Sequence, residues 1–210
     1  MTRTYILMTL MMMLSLHLFG QINLKELSSK DIPADIKYEG KLTQALQWQD
    51  DQGLHIVITS ETGSFIKEGI PHESGGSDAE LFAYHFLDSD DLIVQVWKVY
   101  DFIHDCELDM NVAFVENALE ITDLNKDNIP EIWIMYRKAC RGDVSPSEMK
   151  IIMYENTKKY AMRGETKVKV SEYDYYGGDF TADKLFEKGP KVFKDFAEKL
   201  WKKNVEEKWD

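Results

Sequence analysis

Leu119-Glu120-Ile121-Thr122-Asp123-Leu124-Asn125-Lys126-Asp127-Asn128-Ile129-Pro130-Glu131-Ile132-Trp133-Ile134-Met135-Tyr136 admits two readings, and the choice between them decides the fold. As helix–loop–helix it would need helical flanks and a bidentate glutamate at loop position 12, and that position is Ile134. The flanks Ile121-Thr122 and Ile132-Trp133-Ile134 are β-branched and aromatic, so the stretch reads as strand–loop–strand. The loop itself offers oxygen-bearing side chains at positions 1, 3, 5 and 9, namely Asp123, Asn125, Asp127 and Glu131, with the Ile129 carbonyl at position 7. That is a ligand set for a hard cation. Asx residues and proline also make turns without any ion, so a solvated turn is the alternative.

The flanking sequence agrees with a sheet. Leu46-Gln47-Trp48 and Leu54-His55-Ile56-Val57-Ile58-Thr59 surround Asp50-Asp51-Gln52-Gly53 and read as a hairpin. Residues 61–78 hold Gly63, Gly69, Pro71, Gly75 and Gly76 and read as a long surface loop. Two strands are expected from Glu80 to Leu87 and from Leu92 to Phe102, joined through Asp88-Ser89-Asp90-Asp91. The second carries apolar residues in both registers, which predicts burial on much of both faces. Glu131 to Arg137 reads as a core strand. Ser145-Pro146-Ser147-Glu148 has the form of a helix cap, but Met149 to Tyr154 and Tyr160-Ala161-Met162 around Asn156-Thr157-Lys158-Lys159 fit a hairpin better. After Pro190 the period lengthens: Phe193, Phe196, Ala197, Leu200 and Trp201 mark an amphipathic helix. The expected class is α+β, an antiparallel sheet of hairpins and meander with an amphipathic C-terminal helix, in a single domain over residues 21–210.

Residues 1–20 combine Arg3, no acid, and an apolar core from Tyr5 to Phe19 before Gly20, which reads as a secretory signal peptide; an uncleaved N-terminal anchor is the alternative. The expected location is therefore exported: periplasmic, cell-surface or secreted, with no membrane insertion once the segment is cleaved. The net charge of -12 repels nucleic acid, so a nucleic-acid partner is disfavoured. Cys106 and Cys140 are the only cysteines, and in an oxidising compartment an even count reads first as a disulfide. Such a bond would flank the acidic loop and is expected to help preorganise it. A catalytic Cys106 thiol beside His104 is the alternative.

The acidic loop resembles those of FG-GAP and related calcium-binding repeats, in which Asp-x-Asn/Asp-x-Asp-Gly-x-x-Asp joins two strands. Here Lys126 and Asn128 stand where glycine is common, and Glu131 where aspartate is common. The resemblance implies structural calcium held by Asp123, Asn125, Asp127, Glu131 and the Ile129 carbonyl; extracellular modules of this sort have dissociation constants of about 0.1–1 mM. A wider resemblance rests on Trp97, Asp101 and Cys106, on Ile121-Thr122-Asp123-Leu124, and on Tyr136-Arg137-x-x-Cys140-Arg141-Gly142-Asp143-Val144-Ser145-Pro146. Over about residues 35–165 the chain resembles an uncharacterised family of exported Bacteroidota proteins, some labelled surface polysaccharide biosynthesis protein. That implies a cell-envelope setting and brings no catalytic residue.

Two further clusters, His72-Glu73 and His104-Asp105 with Asp109, have the chemistry for metal or acid–base work, against a solvated loop and surface charge as the plainer readings. Tyr173-x-Tyr175-Tyr176-Gly177-Gly178-Asp179-Phe180 could stack on sugar rings, but is expected to pack under a loop. The function these residues imply is a binding or structural module of the cell envelope, with an envelope glycan or protein as partner and no catalytic activity assigned. The alternative is an envelope hydrolase or glycan-processing enzyme acting near His104, Asp105 and Asp109.

Overall fold

Strand Lys41–Asp50 turns through Asp51 and Gln52 into Gly53–Glu61, pairing Asp50 with Gly53, as the hairpin reading requires. In the computed structural model, which describes residues 22–207 apart from Asp91, this hairpin (β2 and β3) is the middle of a five-stranded meander. Its order is β1 (Lys25–Glu26), β2, β3, β4 (Ser77–Ser89) and β5 (Leu92–Cys106). The segment read as a signal peptide lies outside the described residues.

A second sheet follows: β6 (Asp109–Phe114), β7 (Glu120–Thr122), β8 (Glu131–Arg141), β9 (Glu148–Glu155) and β10 (Lys158–Glu165), with β13 (Phe180–Ala182) on its far edge. β6 and β7 lie end to end along one side of β8, and β9 pairs along the other. A small ribbon of β11 (Lys167–Lys169) and β12 (Tyr175–Gly177) precedes helices α1 (Lys184–Lys188) and α2 (Lys191–Asn204). All the strand pairings are antiparallel. The class is the expected α+β, but the strands divide into two sheets rather than one.

Strand period explains the layers. On β8, Ile132 and Ile134 face the first sheet, where they pack with Leu81, Ala83, Val57 and Trp97. Trp133 and Met135, one residue out of step, face the opposite way and pack with Phe186, Phe193, Ala197 and Trp201 of the helices. Each such side chain contributes roughly 1.5–3 kcal/mol when fully buried. The outer face of the first sheet is covered by the N-terminal segment, through Leu27 and Ile36 against Ile56, Ile58, Phe82 and Tyr84. Helix α1 was not legible in advance; Asp183 caps it by accepting hydrogen bonds from the Leu185 and Phe186 amides.

Two expectations are corrected. β5 is not buried on both faces: Leu92, Val94, Tyr100 and Phe102 are exposed, while Trp97, Val99 and Cys106 are buried. It is the outer strand of its sheet, and the N-terminal segment leaves most of its outer face uncovered. The Cys106–Cys140 disulfide is present, joining the end of β5 to the end of β8 and so one sheet to the other. It does not fasten the acidic loop. Nine residue steps along extended β8 carry the chain from Glu131 to Cys140, about 30 Å at strand rise, which puts the bond and the loop at opposite ends of the sandwich.

Between those ends Asp101 ties the sheets together. Its carboxylate accepts hydrogen bonds from Lys138 (2.6 Å), Lys150 (2.7 Å) and the Tyr136 hydroxyl (2.8 Å). Burial alone would raise this carboxyl, but the two ammonium groups and the hydroxyl prevail and bring it down to about 2.

Candidate functional site

The acidic loop forms one lip of the sandwich end away from the disulfide. Asp123 accepts hydrogen bonds from the Asp127 and Asn128 amides at 3.1 and 3.3 Å, and Asp127 from the Ile129 amide at 2.9 Å. Asn125 donates to Asp127 at 2.8 Å and to Glu155 at the end of β9 at 3.1 Å. Lys126 and Asn128, where the resembled pattern favours glycine, both adopt the left-handed conformation, with φ of 61° and 64°. Both positions therefore hold a backbone conformation that glycine takes more readily than a residue with a side chain.

Glu131 is fully buried, and its carboxylate accepts from the Thr122 hydroxyl at 2.6 Å and the Leu124 amide at 2.9 Å. Burial raises its pKa; the hydrogen bonds from Thr122 and Leu124 oppose the rise without cancelling it. An all-oxygen donor set with Asp123 and Asp127 folded back over the loop amides fits calcium chemistry. Glu131 faces Thr122 and Leu124 behind the loop, which suits a supporting role or contact through water better than direct ligation.

Opposite this lip stands the β2–β3 turn. Asp50, Asp51 and Asp123 line one cleft of about 520 Å³, together with Gln49, Gln52 and Asn128. The cleft joins elements 70 residues apart in the chain, and no local spacing announces it. Behind it Asp50 contacts His55 Nε2 at 2.9 Å, and His55 Nδ1 contacts His85 Nε2 at 2.9 Å. Trp48 stacks on the His55 ring with centroids 4.7 Å apart. Burial pushes His85 down to about 3, reinforced by the charge His55 can carry, so His85 stays neutral near pH 7. Its Nδ1 and the indole nitrogens of Trp48 and Trp97 have no hydrogen-bond partner among the described residues.

The other end gathers a different set. Loop 62–76 brings His72 to Asp78 at the start of β4, with Nε2 2.7 Å from Oδ2. The β4–β5 pairing, with irregularities between Ser77 and Ala79, brings His104 Nδ1 to 2.5 Å from Asp78 Oδ1. Asp78 also accepts the Lys67 and Asp105 amides at 2.8 and 3.0 Å. Burial opposes ionisation of Asp78, yet these hydrogen bonds outweigh it and hold the carboxyl well below the usual carboxylate range. His72 is raised, chiefly by its hydrogen bond to Asp78.

Asp105, itself left-handed with φ of 54°, accepts from the Ser74 and Gly76 amides at 2.9 and 2.8 Å. Gly76 is required there, since a Cβ would lie 2.4 Å from the Cys106 backbone. Beside the cluster a pocket of about 170 Å³ is lined by His104, Asp78, Lys67, Glu80 and Tyr100. Of His104, Asp105 and Asp109, His104 alone lines it; Asp105 is committed to the loop amides and Asp109 is exposed at the start of β6. Glu73 is exposed and apart from His72's contacts. Cys106 is disulfide-bonded, so no free thiol stands beside His104.

The tyrosine cluster is corrected: Tyr173, Tyr175 and Tyr176 are exposed, and Phe180 alone turns inward, onto Trp201. No family model, no curated protein and no solved structure matches the chain. Among the described residues, no helix is long and apolar enough to cross a membrane.

Proposed function

We propose that the protein is an exported binding module of the cell envelope that takes a polyhydroxylated ligand, a glycan, in the cleft between the β2–β3 turn and the acidic loop. The observation that carries this reading is the meeting of Asp50, Asp51 and Asp123 with Gln49, Gln52 and Asn128 on one concave surface. A sugar hydroxyl both donates and accepts; carboxylates take its proton side and carboxamides serve either side. The disulfide supports the exported setting, because such bonds persist in oxidising compartments, as does the apolar N-terminus.

Calcium belongs to this reading as a wall rather than a reagent. Bound by Asp123, Asn125, Asp127 and the Ile129 carbonyl, with Glu131 behind, it would fix the loop that forms one side of the cleft. The test is calorimetric titration with purified envelope polysaccharide fragments, in calcium and in chelator. Binding is expected in calcium, weaker in chelator, and lost in Asp51→Ala, whose side chain is exposed in the cleft. Binding that survives Asp51→Ala unchanged, or no binding across neutral, acidic and amino-sugar fragments, refutes the assignment.

A further inference from the structure

We infer that His72, Asp78 and His104 form a site for a divalent transition metal of the zinc type, with three protein ligands and one position open to water. The inference is independent of the cleft. The three ligand atoms lie within 4.8 Å of one another, and they are the one such group of His, Cys, Asp or Glu among the described residues. Tetrahedral zinc with nitrogen and oxygen bonds of about 2.0–2.1 Å spaces its ligands about 3.3 Å apart. The observed contacts of 2.7 and 2.5 Å to Asp78 open to that spacing by small rotations of the two rings.

Proton accounting leaves room for a cation. His104 Nε2 lies 3.2 Å from the Pro71 carbonyl. A carbonyl only accepts, so the nitrogen facing it carries the hydrogen, and in the neutral ring the other nitrogen is a bare lone pair. That lone pair points at a carboxylate whose oxygens are lone pairs too. The arrangement is satisfied by an extra proton on the ring or by one cation shared by all three ligands. A backbone carbonyl that fixes the far N–H of an imidazole is a usual outer support of a metal-binding histidine. Asp78 is supported in the same way, by the amides of Lys67 and Asp105, with its side chain only 3 % exposed.

The donor types choose the ion. Two imidazoles suit zinc, copper, nickel or iron and not calcium or magnesium, which take oxygen. Both cysteines are held in the disulfide, so sulfur takes no part. Asp78 and His104 also line the pocket that holds Lys67, Glu80 and Tyr100, so a further ligand has room beside them, and the His104 side chain, 35 % exposed, leaves the cluster open to solvent. Three ligands with an open position are the arrangement of zinc sites that bind a further molecule.

The test uses oxidised, chelator-treated protein carrying no histidine tag, titrated with zinc by calorimetry and with cobalt by visible absorption, with calcium and magnesium as controls. One equivalent of zinc is expected, together with the intense visible bands of tetrahedral cobalt. Zinc affinity should fall roughly tenfold or more in His72→Ala and in His104→Ala. Where a variant fails to fold, nitrogen NMR of the wild-type protein decides: zinc must shift the ring resonances of His72 and His104 and leave His55 and His85 in place. Absence of saturable zinc binding, affinity unchanged in both folded variants, or shifts confined to His55 and His85 would overturn the inference.

Discussion

At one end of the sandwich two turns of oxygen-bearing side chains face each other across a cleft; at the other a disulfide joins the two sheets and a histidine–aspartate–histidine cluster binds a long loop to two strands. The acidic end is held chiefly by short-range hydrogen bonds within each turn, with the Asn125–Glu155 bond reaching further, and its carboxylates Asp50 and Asp123 stand at the rim. The disulfide end is held across the chain: Asp78 gathers residues 67, 72, 104 and 105, and Asp105 gathers 74 and 76. Local turns can tighten or relax without moving the sheets. A cross-chain clamp cannot, so rigidity belongs to one end and adaptability to the other.

Reduction of Cys106–Cys140 is the strongest way to break this contrast. The bond closes a 34-residue separation, and its loss should cost about 2–4 kcal/mol of stability. Amide exchange under reducing conditions should quicken first at Gly76 and Asp105, with Asp127 and Ile129 unchanged short of global unfolding. Equal acceleration at both ends would show them to be one cooperative unit. Asp101→Ala acts between the ends: it leaves the Tyr136 hydroxyl without its acceptor and Lys138 and Lys150 with Glu148, and a loss of about 2 kcal/mol is expected by denaturant titration. Since the folded state lowers the Asp101 pKa to about 2 from 3.8, its contribution is complete above pH ~4 and is lost as pH falls toward 2.

The difference between the ends also governs what the sequence discloses. The acidic loop is contiguous, so its donors could be read from spacing alone, and the hairpins beside it followed from alternation and turn residues. The cluster at the other end required Asp78 to meet His104 across 26 residues, through a β4–β5 register that shifts at Ser77 and Ala79. His72 and His104 were visible as candidates, but Asp78 was not, because a single aspartate at the edge of a glycine-rich loop looks like any turn residue. The division into two sheets was hidden for a similar reason. Trp133 and Ile134 announce a strand buried on both sides, but nothing local says that one side meets helices and the other a second sheet. β5 misled in the opposite sense, since apolar residues in both registers suggest two-sided burial, and edge position overrode them.

Acid should separate the ends in a second way. His85 is held neutral, with its pKa pushed down to about 3 from 6.5, so the unfolded chain binds a proton that the folded one refuses. Stability tied to this histidine is therefore full above pH ~6.5 and declines as pH falls toward 3. His85→Gln should flatten the stability profile across that window while lowering stability at pH 7. The first signs of opening in wild-type protein should come from Trp48 and Trp97, whose rings contact His85, so their fluorescence should change before any signal from the disulfide end. A profile that keeps its slope in His85→Gln would assign the acid sensitivity to carboxylates instead.

The smallest expected effect is the most informative about calcium. Asp123→Ala should lower the melting temperature more in calcium than in chelator, where it removes the bonds to the Asp127 and Asn128 amides but no ion, and the difference is small because linkage adds only about 1–2 kcal/mol at ligand concentrations near tenfold over the dissociation constant. Lys126→Gly probes the same loop with the opposite sign. Lys126 holds φ at 61°, a conformation that costs a side-chain-bearing residue about 1–2 kcal/mol and glycine almost nothing, although the freer unfolded chain of a glycine variant returns roughly 1 kcal/mol of that gain. In chelator the two terms nearly cancel. In calcium the substitution also removes a positive charge from beside the ion, so the variant should melt higher than wild type only when calcium is present. A rise of equal size in chelator would assign the gain to backbone strain alone, and the acidic loop would then stand as a turn whose carboxylates serve its own amides.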